Sequence, residues 1–133
     1  MAIRKIVSPK LPEPAGGIYS NCLEAGDQIF LAGMTAGGPD GKPIGGSDAY
    51  LQCKAALEKI RVLLEAAGTS VADIVKMTIY VTDMSIRPDF SRARSEFFGE
   101  PKPCSTLIGV NALAQPGMLV EVDVTAIRGA SKS

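Results

Sequence analysis

Two acidic residues stand two positions apart in a predicted strand near the C-terminal end of the chain. Between residues 118 and 127, valines at even positions alternate with mostly polar residues at odd positions. Strand residues of one parity share a face, so Glu121 and Asp123 should lie side by side, roughly 6 to 7 Å apart. Burying two carboxylates is costly unless they are paired or hydrogen-bonded. The face that carries them is therefore predicted to be solvated, to be an assembly surface, or to line a polar pocket.

Other common catalytic chemistries are excluded by what the chain lacks. It has no histidine, and its three cysteines are widely spaced, without a CxxC pair. Mechanisms of the Ser-His-Asp and Cys-His types are thus excluded, and neither a disulfide framework nor a metal site is indicated. Cys53 lies on an apolar helical stripe, and Cys104 has the parity opposite to Ser105. Both are predicted to be buried core thiols rather than nucleophiles.

Composition indicates one globular domain over residues 1–133. The chain is 46% hydrophobic and 21% charged, and its 14 basic and 14 acidic residues cancel. A neutral chain has no basic field to attract nucleic acid or anionic lipid, so neither partner is expected. No apolar run of about 18 residues occurs, and the N-terminus leads into no apolar segment. We therefore expect no membrane association and a cytoplasmic location.

Hydrophobic periodicity predicts an α+β fold with a mixed sheet of about six strands. Alternation predicts strands over residues 4–7, 17–23, 28–32, 73–82, 103–110 and 118–127. A one-sided helix should begin at an N-cap, Ser47, and end at Gly68, and a second should cover residues 88–98. The glycine-rich residues 33–46 are expected to form a mobile loop.

Two helices can cover only one face of such a sheet. The other face would carry a mixed polar set, and we interpret it as an oligomer surface. The predicted members of this set are Thr78, Tyr80, Ser105, Glu121, Asp123 and Thr125.

An ordered series of segments resembles the RidA/YjgF family, also called L-PSP endoribonuclease-like. These segments are Gly17–Tyr19, Ile29–Gly33, Leu63–Thr69, Asp73–Asp83, Phe97–Gly99, Pro103–Thr106 and Leu119–Ile127. The resemblance covers nearly the whole chain. It implies a chorismate-mutase-like sandwich assembled as a homotrimer, with the sheets forming a central barrel and a small-molecule cleft between each pair of subunits.

The family's best-known activity is hydrolysis of enamines and imines to a 2-keto acid and ammonia, without metal or cofactor. By resemblance, Glu121 matches the glutamate that positions the attacking water. Gly33 matches a backbone contact, and Tyr19 matches the aromatic wall of the cleft. Ser91 and Leu107 fall at further pocket positions. Asp123 is predicted to be structural.

The chain departs from the family pattern at Ser105, where the family's carboxylate-binding arginine is expected. A hydroxyl offers one weaker hydrogen bond in place of a bidentate, charged clamp. Binding of a keto-acid-like substrate should weaken by roughly ten- to a hundredfold. Replacement charge would have to come from Arg87, Arg92 or Arg94 on the second helix.

Three functions stay open from the sequence. The first is a cofactor-free deaminase of an enamine or imine with altered specificity. The second is a non-catalytic trimer that binds a neutral or less acidic metabolite. The third, an endoribonuclease, is disfavoured by zero net charge and by the absence of histidine and of a basic aromatic patch.

Overall fold

The valine-rich C-terminal strand lies inside the sheet rather than at its edge. The computed structural model describes residues 2–132. These residues contain β1 (Ile3–Lys5), β2 (Cys22–Ala25), β3 (Gln28–Leu31), α1 (Ala49–Ala66), β4 (Ile74–Val81), α2 (Arg87–Phe97), β5 (Cys104–Gly109) and β6 (Val120–Ile127). The six strands form one sheet in the order β1-β2-β3-β6-β4-β5. The predicted α+β class, the mixed sheet and its two helices are confirmed.

One strand pair in the sheet is parallel. Strands β4 and β5 run in the same direction, whereas the other pairs are antiparallel. Parallel neighbours need a crossover connection, and α2 supplies it. The crossover places α2 beside α1 on one face of the sheet.

Helix α1 lies on the sheet through a continuous apolar stripe. The stripe that periodicity predicts is buried, at Cys53, Ala56, Leu57, Ile60, Leu63, Leu64 and Ala67. The N-cap is Asp48 rather than Ser47, because the Asp48 carboxylate accepts a 3.0 Å hydrogen bond from the Leu51 N–H. Gly68 follows the helix with φ of 72°, a left-handed conformation that suits glycine and ends the helix.

Strand β2 begins well after its predicted start, and the beginning of β4 contains a bulge that the sequence pattern does not predict. Residues 15–17 form a turn of 3₁₀ helix with two glycines at positive φ, so β2 starts only at Cys22. At the start of β4, the pairing with β6 shifts register between Ile74 and Lys76. This bulge buries Ile74 and leaves Val75 half-exposed, whereas simple alternation predicts Val75 inward.

The two faces of the sheet differ as the sequence predicts for β6. Val120, Val122 and Val124 are buried beneath the helices, and the odd-numbered residues of β6 are partly exposed on the open face. Tyr80 and Thr78 of β4 pair with Glu121 and Asp123, so they share that open face.

Strand β5 contradicts its predicted orientation. Ser105 pairs with buried Met77, and partners in a sheet share a face, so Ser105 lies on the helix side and not on the open face. Cys104 pairs with Lys76 on the open side and is exposed, so it is not a core thiol. The prediction was wrong because β5 is an edge strand. Edge residues are exposed on both faces, and their polarity does not report which face meets the core.

Candidate active site

A cavity of about 270 Å³ lies where β6 begins, between the glycine-rich loop and the segment that precedes β2. It has one carboxylate and one ammonium group among the described residues of its wall. Its lining residues are Leu11, Pro12, Pro14, Tyr19, Asn21, Gly33, Met34, Thr35, Gly37, Gly38, Lys59, Ala114, Gln115 and Glu121. Three residues singled out from the sequence, Tyr19, Gly33 and Glu121, therefore meet around one cavity.

Gly33 is in close contact with the Glu121 side chain. Past the end of β3, Met34 pairs with Val122 through two backbone hydrogen bonds of 2.8 and 2.9 Å. This pairing brings the preceding glycine against the glutamate. A Cβ built on Gly33 would lie 2.6 Å from the Glu121 carboxyl carbon, closer than real Cβ atoms approach. The glycine is needed here for space, because its φ is not positive.

The surroundings of the Glu121 carboxylate raise its pKa and so make it a better proton acceptor. Burial raises its pKa, and the negative charge of Asp123 raises it further. Within residues 2–132, no side chain or backbone N–H donates a hydrogen bond to the Glu121 carboxylate. Its oxygens are thus available to a ligand or a water molecule in the cavity.

Asp123 is held in place by a neighbour on the open face. Its Oδ2 accepts a 3.0 Å hydrogen bond from the Tyr80 hydroxyl. This bond and burial raise the pKa of Tyr80, so the phenol stays protonated and keeps donating. Asp123 does not line the cavity. The paired carboxylates of β6 therefore have different surroundings, with Asp123 bonded and Glu121 free.

Helix α1 holds the glycine-rich loop and the loop that precedes β6, both of which line the cavity, through one buried amide. Gln52 is fully buried, and its Nε2 donates to the carbonyls of Gly46 and Gly117 at 2.7 and 3.0 Å. Its Oε1 accepts from the Leu119 N–H at 2.9 Å. The glycine-rich loop is also bound internally, from the Ile44 N–H to the Ala36 carbonyl at 2.7 Å. The loop borders the cavity, as expected, but it is anchored at several points.

Lys59 is a wall residue that the sequence analysis did not identify. It lies on α1, is partly buried, and donates from Nζ to the Gly37 carbonyl at 2.6 Å. The available signal was its place beside Ile60 in the buried stripe, where a lysine can reach past the edge of the apolar face.

Ser91, Ser105 and Leu107 do not line this cavity in the protomer. Leu107 pairs with Ile79 on the helix side of β5, and Ser91 lies half-buried on α2. Ser105 Oγ accepts a 3.1 Å hydrogen bond from Nη1 of Arg94. Of the three arginines considered as replacement charges, Arg94 is the one that contacts Ser105.

The described part of the chain offers no other obvious chemical centre. Within residues 2–132, no three acidic or cysteine side chains converge as a metal site. None of the helices over these residues is both long enough and apolar enough to cross a bilayer.

Comparison with known proteins assigns the family. The family model described as endoribonuclease L-PSP matches residues 10–128. The chain belongs to this family, which is also named RidA/YjgF. This L-PSP family member is 34% identical over 128 residues to a RutC family protein of Pyrococcus abyssi, covering 96% of its own length and 99% of the relative. It is 28% identical over 131 residues to an Escherichia coli protein named as the reactive intermediate deaminase TdcF, covering 96% and 100%.

Solved structures share the fold of this L-PSP family member. PA3499 of Pseudomonas aeruginosa superposes with a TM-score of 0.85 at 36% identity, over 96% of this chain and 93% of that one. RidA from a Psychrobacter species of Antarctica superposes with a TM-score of 0.83 at 25% identity, over 93% and 99%. The six-stranded sheet with two helices is therefore the family fold.

Proposed function

We propose that this chain is a cofactor-free hydrolase that converts a small imine or enamine to a carbonyl compound and ammonia. The observation that carries the proposal is Glu121: a partly buried carboxylate with raised pKa and no internal donor, facing a cavity. The relatives named for reactive intermediate deamination support the same chemistry.

The proposed reaction needs one water and one base. Glu121 accepts a proton from water while the water oxygen bonds to the imine carbon and the C=N π pair moves to nitrogen. Glu121 gives that proton to the nitrogen, which forms the neutral carbinolamine. Glu121 then takes the proton of the carbinolamine hydroxyl and passes it to the nitrogen, so that the C–N bond breaks, ammonia leaves and the oxygen pair forms the carbonyl. Positioned general bases contribute typically 10²- to 10⁴-fold, most effectively when their pKa approaches the working pH.

Tyr19 and Gly33 have supporting roles in this proposal. Gly33 leaves the space that the Glu121 side chain fills, so the carboxylate orientation is fixed by contact. The Tyr19 ring is about half-exposed on the cavity wall and can cover one face of a planar imine. Water is then directed to the other face.

We propose that a homotrimer completes the site. Ser91, Ser105 and Leu107 are family pocket positions by resemblance, yet they lie away from the cavity of their own protomer. Assembly would bring them to the cavity of a neighbouring subunit, with Arg94 supplying the carboxylate-binding charge through its contact with Ser105. Exposed Phe30, Ile108 and Ile127 give the sheet an apolar contribution to such an interface. Sedimentation equilibrium should give three times the 13.9 kDa chain mass, and a monomer would contradict this assembly.

The decisive experiment compares imine hydrolysis by the wild-type protein and Glu121→Gln. Imines are generated in situ from several amino acids, and ammonia release is measured above the spontaneous rate. We expect Glu121→Gln to lose about a hundredfold in kcat/KM. Glu65→Gln removes a carboxylate from the exposed face of α1 and should leave the rate unchanged. Unchanged turnover in Glu121→Gln would refute the mechanism.

A non-catalytic binding role is the second candidate. The same cavity would hold a metabolite without turning it over, and the anchored loops that frame it suit a preformed binding site. It would be favoured if wild-type protein hydrolyses none of the imines yet binds their carbonyl products. RNA cleavage, suggested by the family description, is disfavoured by the neutral charge and the lack of histidine, and retention or cleavage of RNA at low salt would reverse that judgement.

A further inference from the structure

The cavity wall has a positively charged group that the proposed hydrolysis does not use. Lys59 projects from α1 to the part of the glycine-rich loop around Gly37, and it lines the same cavity as Glu121. Of the described wall residues, Lys59 is the cation and Glu121 is the carboxylate. The cavity wall therefore carries one positive and one negative group.

The Lys59 charge lacks a counter-charge among the described residues. Across residues 2–132, no carboxylate oxygen lies within 4.0 Å of its Nζ, although eight ion pairs form elsewhere. The Gly37 carbonyl takes one of the three ammonium hydrogens. An anion that enters the cavity would therefore stabilise this partly buried ammonium through a charged hydrogen bond.

Lys59 and Glu121 contact different parts of the cavity wall. The Lys59 ammonium is hydrogen-bonded to the Gly37 carbonyl, whereas Glu121 packs against Gly33, four residues earlier in the chain. Burial lowers the pKa of Lys59, whereas a nearby carboxylate would raise it. The ammonium thus does not form a close pair with Glu121.

An anion held by Lys59 would not be a carboxylate bonded directly to the reacting carbon. In the proposed trimer, Arg94 of a neighbouring subunit holds that carboxylate, which leaves Lys59 for another anionic group. We propose that Lys59 binds a second carboxylate, at the far end of a short substrate side chain, and thereby selects imines of acidic amino acids. The substrate role in this inference rests on the proposed hydrolase function, whereas binding of an anion by Lys59 does not depend on turnover.

The test uses two stable probes that differ by one carboxylate, glutarate and butyrate. Calorimetric titration of the wild-type protein should give glutarate at least tenfold tighter binding, equivalent to about 1.4 kcal/mol. Lys59→Gln should abolish that preference, and Lys59→Arg should retain it. Lys54→Gln, on the exposed side of the same helix, should behave as wild type. Thermal melts would verify that each variant is folded.

Two results would overturn the inference. One is wild-type binding of glutarate no tighter than that of butyrate, including no detectable binding of either. The other is an unchanged preference in folded Lys59→Gln. The proposed hydrolase fails separately: a Lys59-dependent preference without any imine turnover would leave the anion site standing. Conversely, turnover that depends on Glu121 but shows no effect of Lys59 would leave the hydrolase standing alone.

Discussion

Replacing Gly33 with alanine should cost about a hundredfold in catalysis. The new Cβ would stand 2.6 Å from the Glu121 carboxyl carbon, about 0.8 Å short of the 3.4 Å at which ordinary contact begins. The carboxylate must therefore move by nearly 1 Å. A misplacement of about 1 Å can cost 10²-fold, because proton transfer and attack need aligned atoms.

The same substitution should have little effect on folding. The alanine backbone is unstrained at this position, since Gly33 does not have positive φ. The atoms that would be displaced belong to a side chain with an open cavity beside it. We expect the free energy of unfolding to fall by about 1 kcal/mol, at the low end for an inserted methyl group.

The assay is kcat/KM for imine hydrolysis, with urea unfolding measured in parallel. Gly99→Ala is the matched control, because a Cβ at Gly99 would meet nothing within 4 Å and its φ is not positive. Wild-type activity in Gly33→Ala would refute the claim that the glycine positions the glutamate. An equal loss in Gly99→Ala would point to a general effect of the added methyl group.

Two further changes test the charges around the sheet. Asp123→Asn removes a charge that raises the pKa of Glu121, so the acid limb of the pH–rate profile should move to lower pH; no movement would contradict their coupling. Burial alone would raise the pKa of Asp73. Hydrogen bonds from Thr69 and from two backbone N–H groups of the C-terminal turn outweigh this effect and hold the pKa of Asp73 below its ordinary value. That stabilisation is present above about pH 4 and lost on acidification, so Asp73→Asn should lower the free energy of unfolding by about 2 kcal/mol at pH 7 and by much less near pH 2. A constant difference across pH in urea titrations would contradict this.

The interior of the fold was predictable because burial enforces periodicity. The valines of β6 and the apolar stripe of α1 each have one face in the core, so their spacing reports their orientation. The prediction failed where that constraint is absent. Both faces of β5 are accessible, so the parity of Cys104 and Ser105 gave no reliable orientation.

Apart from Glu121, the residues of the candidate site were predictable only through the resemblance to a family. Glu121 could be singled out from the sequence alone, because a carboxylate is unusual in a strand whose alternate residues are buried valines. The contact of Gly33 with Glu121 depends on the pairing of Met34 with Val122, which no local pattern indicates. Lys59 was missed for a related reason. A lysine at the margin of an apolar stripe resembles any surface lysine until the loop it contacts is known.

The buried Gln52 amide also determines where the chain can be altered. Because it joins Gly46 and Gly117 to α1, a change in loop length near either glycine would be transmitted to the start of β6. Residues 39–42 lie outside this connection, exposed beyond the bridge between Gly37 and Pro43. That tip is the natural place to insert a peptide tag or a fluorescent label, since exposed loop tips tolerate insertion best. A reporter placed there would sit at the rim of the cavity while leaving its walls intact.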